Sequence, residues 1–342
     1  MAQTTAKEGA VQPTPAAGGS DAKGCVSFVV CTRERPESLR TALRSLLVAA
    51  DRASSQVGAE LEILVVDQSR DARSRDVIAA LRSPRLRHLW RPALRGLSAA
   101  RNVGLREARG DLVLFTDDDC EADPDWALTW IRAMRAHPAV RVAFGEVRAG
   151  PLPLGIGPDV RLCTHAVHEE SAGGLVRLLR RGPDGLGIGA NLAVRSSPAD
   201  PLVFDEGLGA GTALPAAEEI DLAYRAVRRG WRLLEVPDAI VVHHGWRSGG
   251  DARAISRGYQ IGNGAMWAKH VRLADPVAPL LLGRWSMGLV RKVIRRHGRR
   301  PTGLGDLLAY ARGAGRGLRT RVDHRSRCFA APTRATKAPA QS

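Results

Sequence analysis

Little in this 342-residue chain resembles a disulfide scaffold, a membrane span or a reader of nucleic acid. Its five cysteines, Cys25, Cys31, Cys120, Cys163 and Cys328, are scattered without pair spacing. That is the pattern of a reduced, intracellular chain. No apolar stretch reaches the roughly 18 residues that a spanning helix requires. The longest, "PVAPLLLGRWSMGLV", is interrupted by Arg284. The start, "MAQTTAKEGAVQPTPAAGGSDAKG", lacks the apolar core of a secretory signal, so residues 1–23 read as a disordered tail. The last dozen residues, 331–342, read the same way, and the expected location is cytoplasmic. Aromatics make up only 4%. Zinc-ligand cysteine spacing, arginine-rich helices with interleaved aromatics and RNA-binding aromatic signatures are all missing, which argues against a specific nucleic-acid partner. Acids are scarce too: 35 against 51 Lys and Arg, a net charge of +16. Such a surplus suits a phosphorylated substrate or acidic lipid headgroups.

What is present alternates. "CVSFVVCT" (25–32) is a short β-branched run of the kind buried on both faces of a sheet. A helix follows with Pro36 at its start and Leu39, Leu43, Leu46 and Leu47 at helical spacing. "LEILVVDQS" (61–69), a helix over 74–82, the strand "RLRHLW", the helix "GLSAARNVGLREARG" closed by Gly110, and the strand "DLVLFTDDD" continue the series. Later come a strand over 141–149, an irregular stretch over 150–185 and "GIGANLAVRSS" (187–197). The amphipathic helix "AEEIDLAYRAVRRGW" and the strand region "RLLEVPDAIVVHH" follow. Strands alternating with helices predict an α/β fold with a mostly parallel sheet covered on both faces. Ligands of such sheets bind beyond the carboxyl ends of the strands, where Thr32, Asp67 and Asp117–Asp119 all fall.

Three consecutive carboxylates repel one another unless something positive lies between them. Hard carboxylate oxygens suit Mg²⁺ or Mn²⁺, which bridge protein acids to substrate phosphates. A solvated acidic turn is the plainer reading of Asp117, Asp118 and Asp119 taken alone. Their surroundings go further. "VVCTRERPESLRTALRSLL", "EILVVDQSRD", "RGLSAARNVGLREARGDLVLFTDDDCEADPDW", "GANLAVRSS", "FDEGLGAG" and "AEEIDLAYRAVRRGW" resemble, in order and spacing, the family 2 glycosyltransferases over residues 25–245. The resemblance implies the GT-A fold, a Rossmann-like nucleotide-binding sheet, and a nucleotide-diphosphate sugar donor: a UDP-sugar first, a dTDP-sugar second. It places Thr32, Arg35, Arg101 and Asn102 near the nucleotide and Asp67 on the base. Asp117 falls on the ribose or a metal-bound water, Asp118 beside them, and Asp119 on Mn²⁺ or Mg²⁺. His243 or His244 would be a further metal or phosphate ligand. Asn191 would touch donor or acceptor, while Asp205 and Glu206 order the acceptor-side loop. Arg33 and Glu34 depart from the family's usual aromatic and Asn, and Pro201-Leu202-Val203 from its usual glycines.

The reaction so implied is a single inverting displacement, which needs a general base for a hydroxyl acceptor: a glycan, a lipid-linked sugar or a small molecule. Aligned on the family's acidic pair, Glu219 is the base, with Glu218 and Asp221 as the other candidates; acids are favoured in a helix's first turn in any case. Two other functions compete. A sugar nucleotidyltransferase shares the fold, but the glycine-rich phosphate loop expected after strand one is missing from "CTRERPES". A catalytically silent polyanion-binding or membrane-surface protein is the third. The domain plan is 24–275 for the transferase, divided into a nucleotide-binding half (24–125) and an acceptor half (126–275), then a basic amphipathic extension (276–330). That extension holds Arg284, Arg291, Lys292, Arg295, Arg296, Arg299, Arg300, Arg312, Arg316, Arg319 and Arg321 among apolar residues. Over 280–321 it suits an anionic membrane, including the inner face of the cell membrane, or a helix docked on the transferase.

Overall fold

The computed structural model describes residues 24–154, 162–167, 170–175, 187–294 and 303–330. The two expected disordered tails, part of the irregular 150–185 stretch and Arg295, Arg296, Arg299 and Arg300 lie outside these residues.

The first half folds as the alternation predicts. β1 (Cys25–Thr32), β2 (Glu60–Asp67), β3 (Leu86–Trp90) and β4 (Leu112–Asp117) form a parallel block in the order β3-β2-β1-β4. α1 (Pro36–Val57), α2 (Arg73–Ala80) and α3 (Leu97–Glu107) are its crossovers. α1 starts at proline and runs on to a left-handed cap at Gly58, φ 62°. α3 ends at Ala108, before Gly110. Gly110 is needed for another reason: a Cβ there would collide with the Cys25 carbonyl.

The second half mixes strand directions. β8 (Asn191–Arg195) inserts antiparallel between β4 and β6 (Val140–Ala149). β6 lies parallel to the long β9 (Arg232–His243), which also pairs with β5 (Cys120–Ala122) and β7 (Ser171–Gly173). Leu39, Leu43 and Leu46 of α1 and Trp126, Trp130 and Ile131 of α4 (Trp126–Ala136) fill one face of the sheet. α3, α5 (Glu218–Arg228) and α6 (Gly249–Arg272) cover the other. The sequence pattern predicts no element over α6. It contains Gly249, Gly250, Gly258, Gly262 and Gly264 and is buried at every position from Gly262 to His270, so no apolar stripe shows. α7 (Ala278–Ile294), α8 (Leu304–Arg319) and the hairpin of β10 (Val322–Asp323) and β11 (Cys328–Phe329) follow. Among the described residues no helix is long and apolar enough to cross a membrane, and no disulfide joins any of the five cysteines.

Candidate active site

Parallel register brings the ends of β1, β2 and β4 to one edge, with Thr32 beside Asp67 and Cys31 beside Asp117. β4 stops at Asp117. Asp118 and Asp119 turn the chain into β5, whose pairing sets Cys120 opposite His243. That short strand delivers Asp119 to the end of β9, 124 residues away in sequence. Thr32, Arg35, Arg101, Asp117, Asp118, Asp119, Glu218, Glu219 and His243 then line one cavity of about 650 Å³.

Guanidinium groups answer the repulsion among the three aspartates. Arg35 Nη1 lies 3.1 Å from both Asp118 Oδ1 and Asp119 Oδ2. Buried Arg101 reaches Asp117 Oδ1 and Glu218 Oε1, each at 3.1 Å, with its charge over the Phe204 ring. Burial pushes the Asp118 carboxyl up to about 6, although Arg35 and the Thr32 hydroxyl, donating at 2.7 Å, oppose it. Asp119 behaves otherwise: burial would raise it, but the His243 hydrogen bond and nearby positive charge hold it below the usual carboxylate range.

The Asp119–His243 pair has the chemistry of a metal site. His243 Nδ1 lies 2.9 Å from the Cys163 carbonyl, an acceptor only, so this nitrogen carries the proton. Nε2 then faces Asp119 Oδ1 at 3.2 Å. In the neutral ring these are two acceptors pointing at each other, an arrangement that requires a proton or a cation between them. Burial lowers the His243 pKa, yet Asp119 raises it on balance, the signature of the proton alternative. A carbonyl that accepts from the far ring nitrogen of a metal-binding histidine, fixing the ring's orientation, is a recurrent device. One imidazole among carboxylates fits Mn²⁺ better than Mg²⁺, which prefers oxygen alone. His244 turns elsewhere, 2.7 Å from Glu121.

Across Arg101 stands the acidic start of α5. Ala217, which precedes it, adopts φ 75°, a left-handed conformation that costs an alanine about 1 kcal/mol. The three acids there have different fates. Glu218 is taken by Arg101. Asp221 faces inward, held by Lys269 at 2.6 Å, Arg225 at 2.7 Å and His270 at 2.7 Å. Glu219 lines the cavity, and its Oε2 is buried without a hydrogen-bond partner. Burial and the neighbouring Glu218 charge push its pKa up to about 8, against the pull of Arg101 and the backbone N–H groups of Glu219 and Gly189.

Several expected site residues do not line the cavity. Asp67 is fully buried, accepting from Ser69 N–H and facing His88 Nε2 at 2.9 Å; its neighbour Gln68 reaches the cavity instead. Asn102 is buried against the Phe204 backbone and Glu206. Asn191 points to the opposite face of the sheet, accepting from the indoles of Trp126 and Trp130 and donating to the Glu146 and Ala239 carbonyls. Asp205 accepts from Gly207 N–H and pairs with buried Lys269 at 2.6 Å, while Glu206 is exposed and fastens Asn102. Asp205, Glu206 and Asn102 thus order the loop below the cavity, and Asp221 locks α5 to α6. In exchange, the cavity gains Arg247, Tyr259, Gln260, Asn263 and Trp285 from the C-terminal third. They sit in no recognisable motif: the packing of α6 and α7 brings in Tyr259, Gln260, Asn263 and Trp285, and Arg247 lies in the loop after β9.

Residues 27–153 match the Glycosyl transferase family 2 model. The chain is 30% identical over 141 residues to an N-acetylglucosaminyltransferase of Sinorhizobium fredii, a match covering 40% of this chain and 32% of that protein. It is 31% identical over 100 residues to the succinoglycan biosynthesis protein ExoO of Rhizobium meliloti, covering 29% and 27% respectively. The matches thus span about a third or less of the length of these curated relatives. Among solved structures, S. aureus TarS 1–349 in complex with UDP-GlcNAc superposes with a TM-score of 0.55 at 16% identity, over 85% of this chain and 80% of TarS 1–349. That similarity is one of fold.

Proposed function

We propose that this chain, whose residues 27–153 match the Glycosyl transferase family 2 model, transfers a sugar from a nucleotide-diphosphate donor to an acceptor hydroxyl with inversion. The observation that carries the proposal is the cavity itself. At one end, Asp119 and His243 face each other beside Arg35; at the other, Glu219 takes no part in the ion pairs that hold Glu218 and Asp221, and its Oε2 has no hydrogen-bond partner. The donor is a UDP-sugar by preference, and UDP-GlcNAc, the ligand of the TarS complex, is the first probe. The acceptor is a hydroxyl-bearing glycan, lipid-linked sugar or small molecule, and the setting is cytoplasmic.

Asp119, His243 and Asp117 would hold Mn²⁺ or Mg²⁺, which supplies Lewis acidity to the departing diphosphate. Arg35, freed from Asp118 and Asp119, lies within reach of the same phosphates; Thr32 and Asp118 orient that edge of the cavity. Arg101 keeps Asp117 and Glu218 fixed from a buried position, so neither reorganises as charge develops. Glu219 takes the acceptor proton. A base with a raised pKa is stronger once ionised, and its unpartnered Oε2 is available for that hydroxyl. A single base, with no second unpaired carboxylate beside it among the described residues, suits direct displacement rather than a covalent intermediate. Residues 24–275 would form the transferase unit, with 276–330 closing the cavity through Trp285.

A thermal-shift panel of nucleotides and nucleotide sugars with and without Mn²⁺ tests the reading. Ligand at a hundred times its dissociation constant stabilises by about 2.7 kcal/mol, so UDP-sugars should raise Tm only with metal. No shift with any nucleotide sugar would overturn it.

A further inference from the structure

The outer faces of the two C-terminal helices have a pattern that sugar transfer does not use. On α7, Leu280, Arg284, Met287, Arg291 and Ile294 recur at i, i+4, i+7, i+11 and i+14, a single stripe of a helix. All five are exposed, with Leu280 at 62%, Met287 at 52% and Ile294 at 71%. α8 repeats the arrangement with exposed Leu304, Leu308, Arg312, Leu318 and Arg319. Across residues 278–321 there is one acid, Asp306, against eleven Lys and Arg. That acid is already occupied, by Lys292 at 2.7 Å and the Ser256 hydroxyl.

These stripes cannot simply rotate inward, because the opposite faces are committed. Gly313 and Gly317 of α8 pack so tightly on the Ile261 and Ala265 carbonyls of α6 that a Cβ at either would collide. Trp285 of α7 stacks on Tyr310 of α8 with ring planes 4° apart, and its indole N–H donates to Gln260 at 2.9 Å. The sequence offered a docked helix or a membrane-facing one; the inner sides of these helices are docked and their outer stripes are exposed.

We propose that this outer face docks on an anionic lipid bilayer, its apolar side chains at the acyl boundary and its arginines on the headgroup phosphates. The alternatives fit less well. A second copy of the chain would set two arginine-rich faces against each other in a two-fold interface. A nucleic acid would pair with the arginines but leave leucines and Met287 at a phosphate surface. α7, with 17 residues and two arginines in its stripe, lies on a bilayer instead of crossing it. Trp285, on the inner side of α7, is part of the cavity wall. Docking therefore brings the cavity to about one helix diameter, roughly 10 Å, from the headgroups without filling it with lipid. The docking stands apart from the sugar-transfer reading.

The full chain is sedimented with vesicles of phosphatidylcholine alone and of equal parts phosphatidylcholine and phosphatidylglycerol. Binding to the anionic vesicles alone, falling with added salt, is expected. Each arginine near such a surface contributes about fivefold in partitioning, so R291E/R312E/R319E should bind at least a hundredfold more weakly. L280S/M287S/I294S should also lose most binding while keeping the circular dichroism and thermal unfolding of the wild type. Failure of the wild type to pellet with anionic vesicles overturns the proposal. So does undiminished binding by the serine variant, which would reveal a generic polyanion contact, or a wild-type dimer that the serine variant abolishes. Donor turnover, measured in parallel without vesicles, should be unchanged in both variants.

Discussion

Replacing Glu219 with Gln removes a proton acceptor and leaves the side chain's shape, so its consequences can be worked out in two independent currencies. The first is rate. A positioned general base contributes about 10²- to 10⁴-fold, and UDP release coupled to acceptor should fall by that factor in E219Q while UDP–Mn²⁺ affinity stays within about twofold. The second is stability. The Glu219 pKa stands at about 8 in the fold against 4.5 for the free group, chiefly because its carboxyl is buried and Glu218 is adjacent. The folded state therefore holds the proton to higher pH than the unfolded chain does. This stabilising difference is fully present below pH 4.5 and is lost as pH rises through about 8. At about 1.36 kcal/mol per pH unit, the shift sets a ceiling of about 5 kcal/mol; partial exposure of the side chain reduces this to about 1–3 kcal/mol. Gln mimics the protonated acid at every pH. In urea titrations E219Q should match the wild type near pH 5 and exceed it by that margin near pH 9. The wild-type kcat/KM should rise with pH toward a limb near 8 that the variant lacks. Equal stability differences at both pH values, with turnover within twofold of wild type, would refute both the environment assigned to Glu219 and its role.

Asp119→Asn weakens one of the two facing acceptors, so Mn²⁺ affinity should drop about 10- to 100-fold, measurable by calorimetry in the presence of UDP. Lys269→Met leaves Asp205 and Asp221 as buried carboxylates short of their shared cation; about 3–5 kcal/mol of stability should be lost in denaturant unfolding. Ala217→Gly relieves the left-handed backbone ahead of α5 and should stabilise by about 0.5–1 kcal/mol in the same assay, whereas Ala217→Val should destabilise.

The first half of the fold could be read from sequence because its signals are local. β1, β2 and β4 are uninterrupted apolar runs, and their shared ends put Thr32 and Asp117–Asp119 together by topology alone. What could not be read depends on register and distant packing. Whether Asp67 or Gln68 faces the cavity is decided by one step of strand alternation at the end of β2. Asn191 follows a glycine turn that suggests a ligand loop, yet antiparallel pairing of β8 sends its amide to two tryptophans of α4. The choice of His243 over His244 rests on the three-residue strand β5, too short to announce itself. The pattern named three acids at the start of α5, but only their partners separate Glu219 from Glu218 and Asp221. α6 escaped notice because it is buried nearly all round at its C-terminal end, and with it went Tyr259, Gln260 and Asn263.

The proposed mechanism requires Asp119 and His243 to hold a cation, which would supply Lewis acidity to the leaving diphosphate. Its most direct test is UDP release from UDP-GlcNAc, and from other UDP-sugars if that donor is refused, by the wild-type chain in excess chelator and again after Mn²⁺ is restored. The account predicts activity that disappears in chelator and returns with metal. Equal rates in both conditions would contradict it.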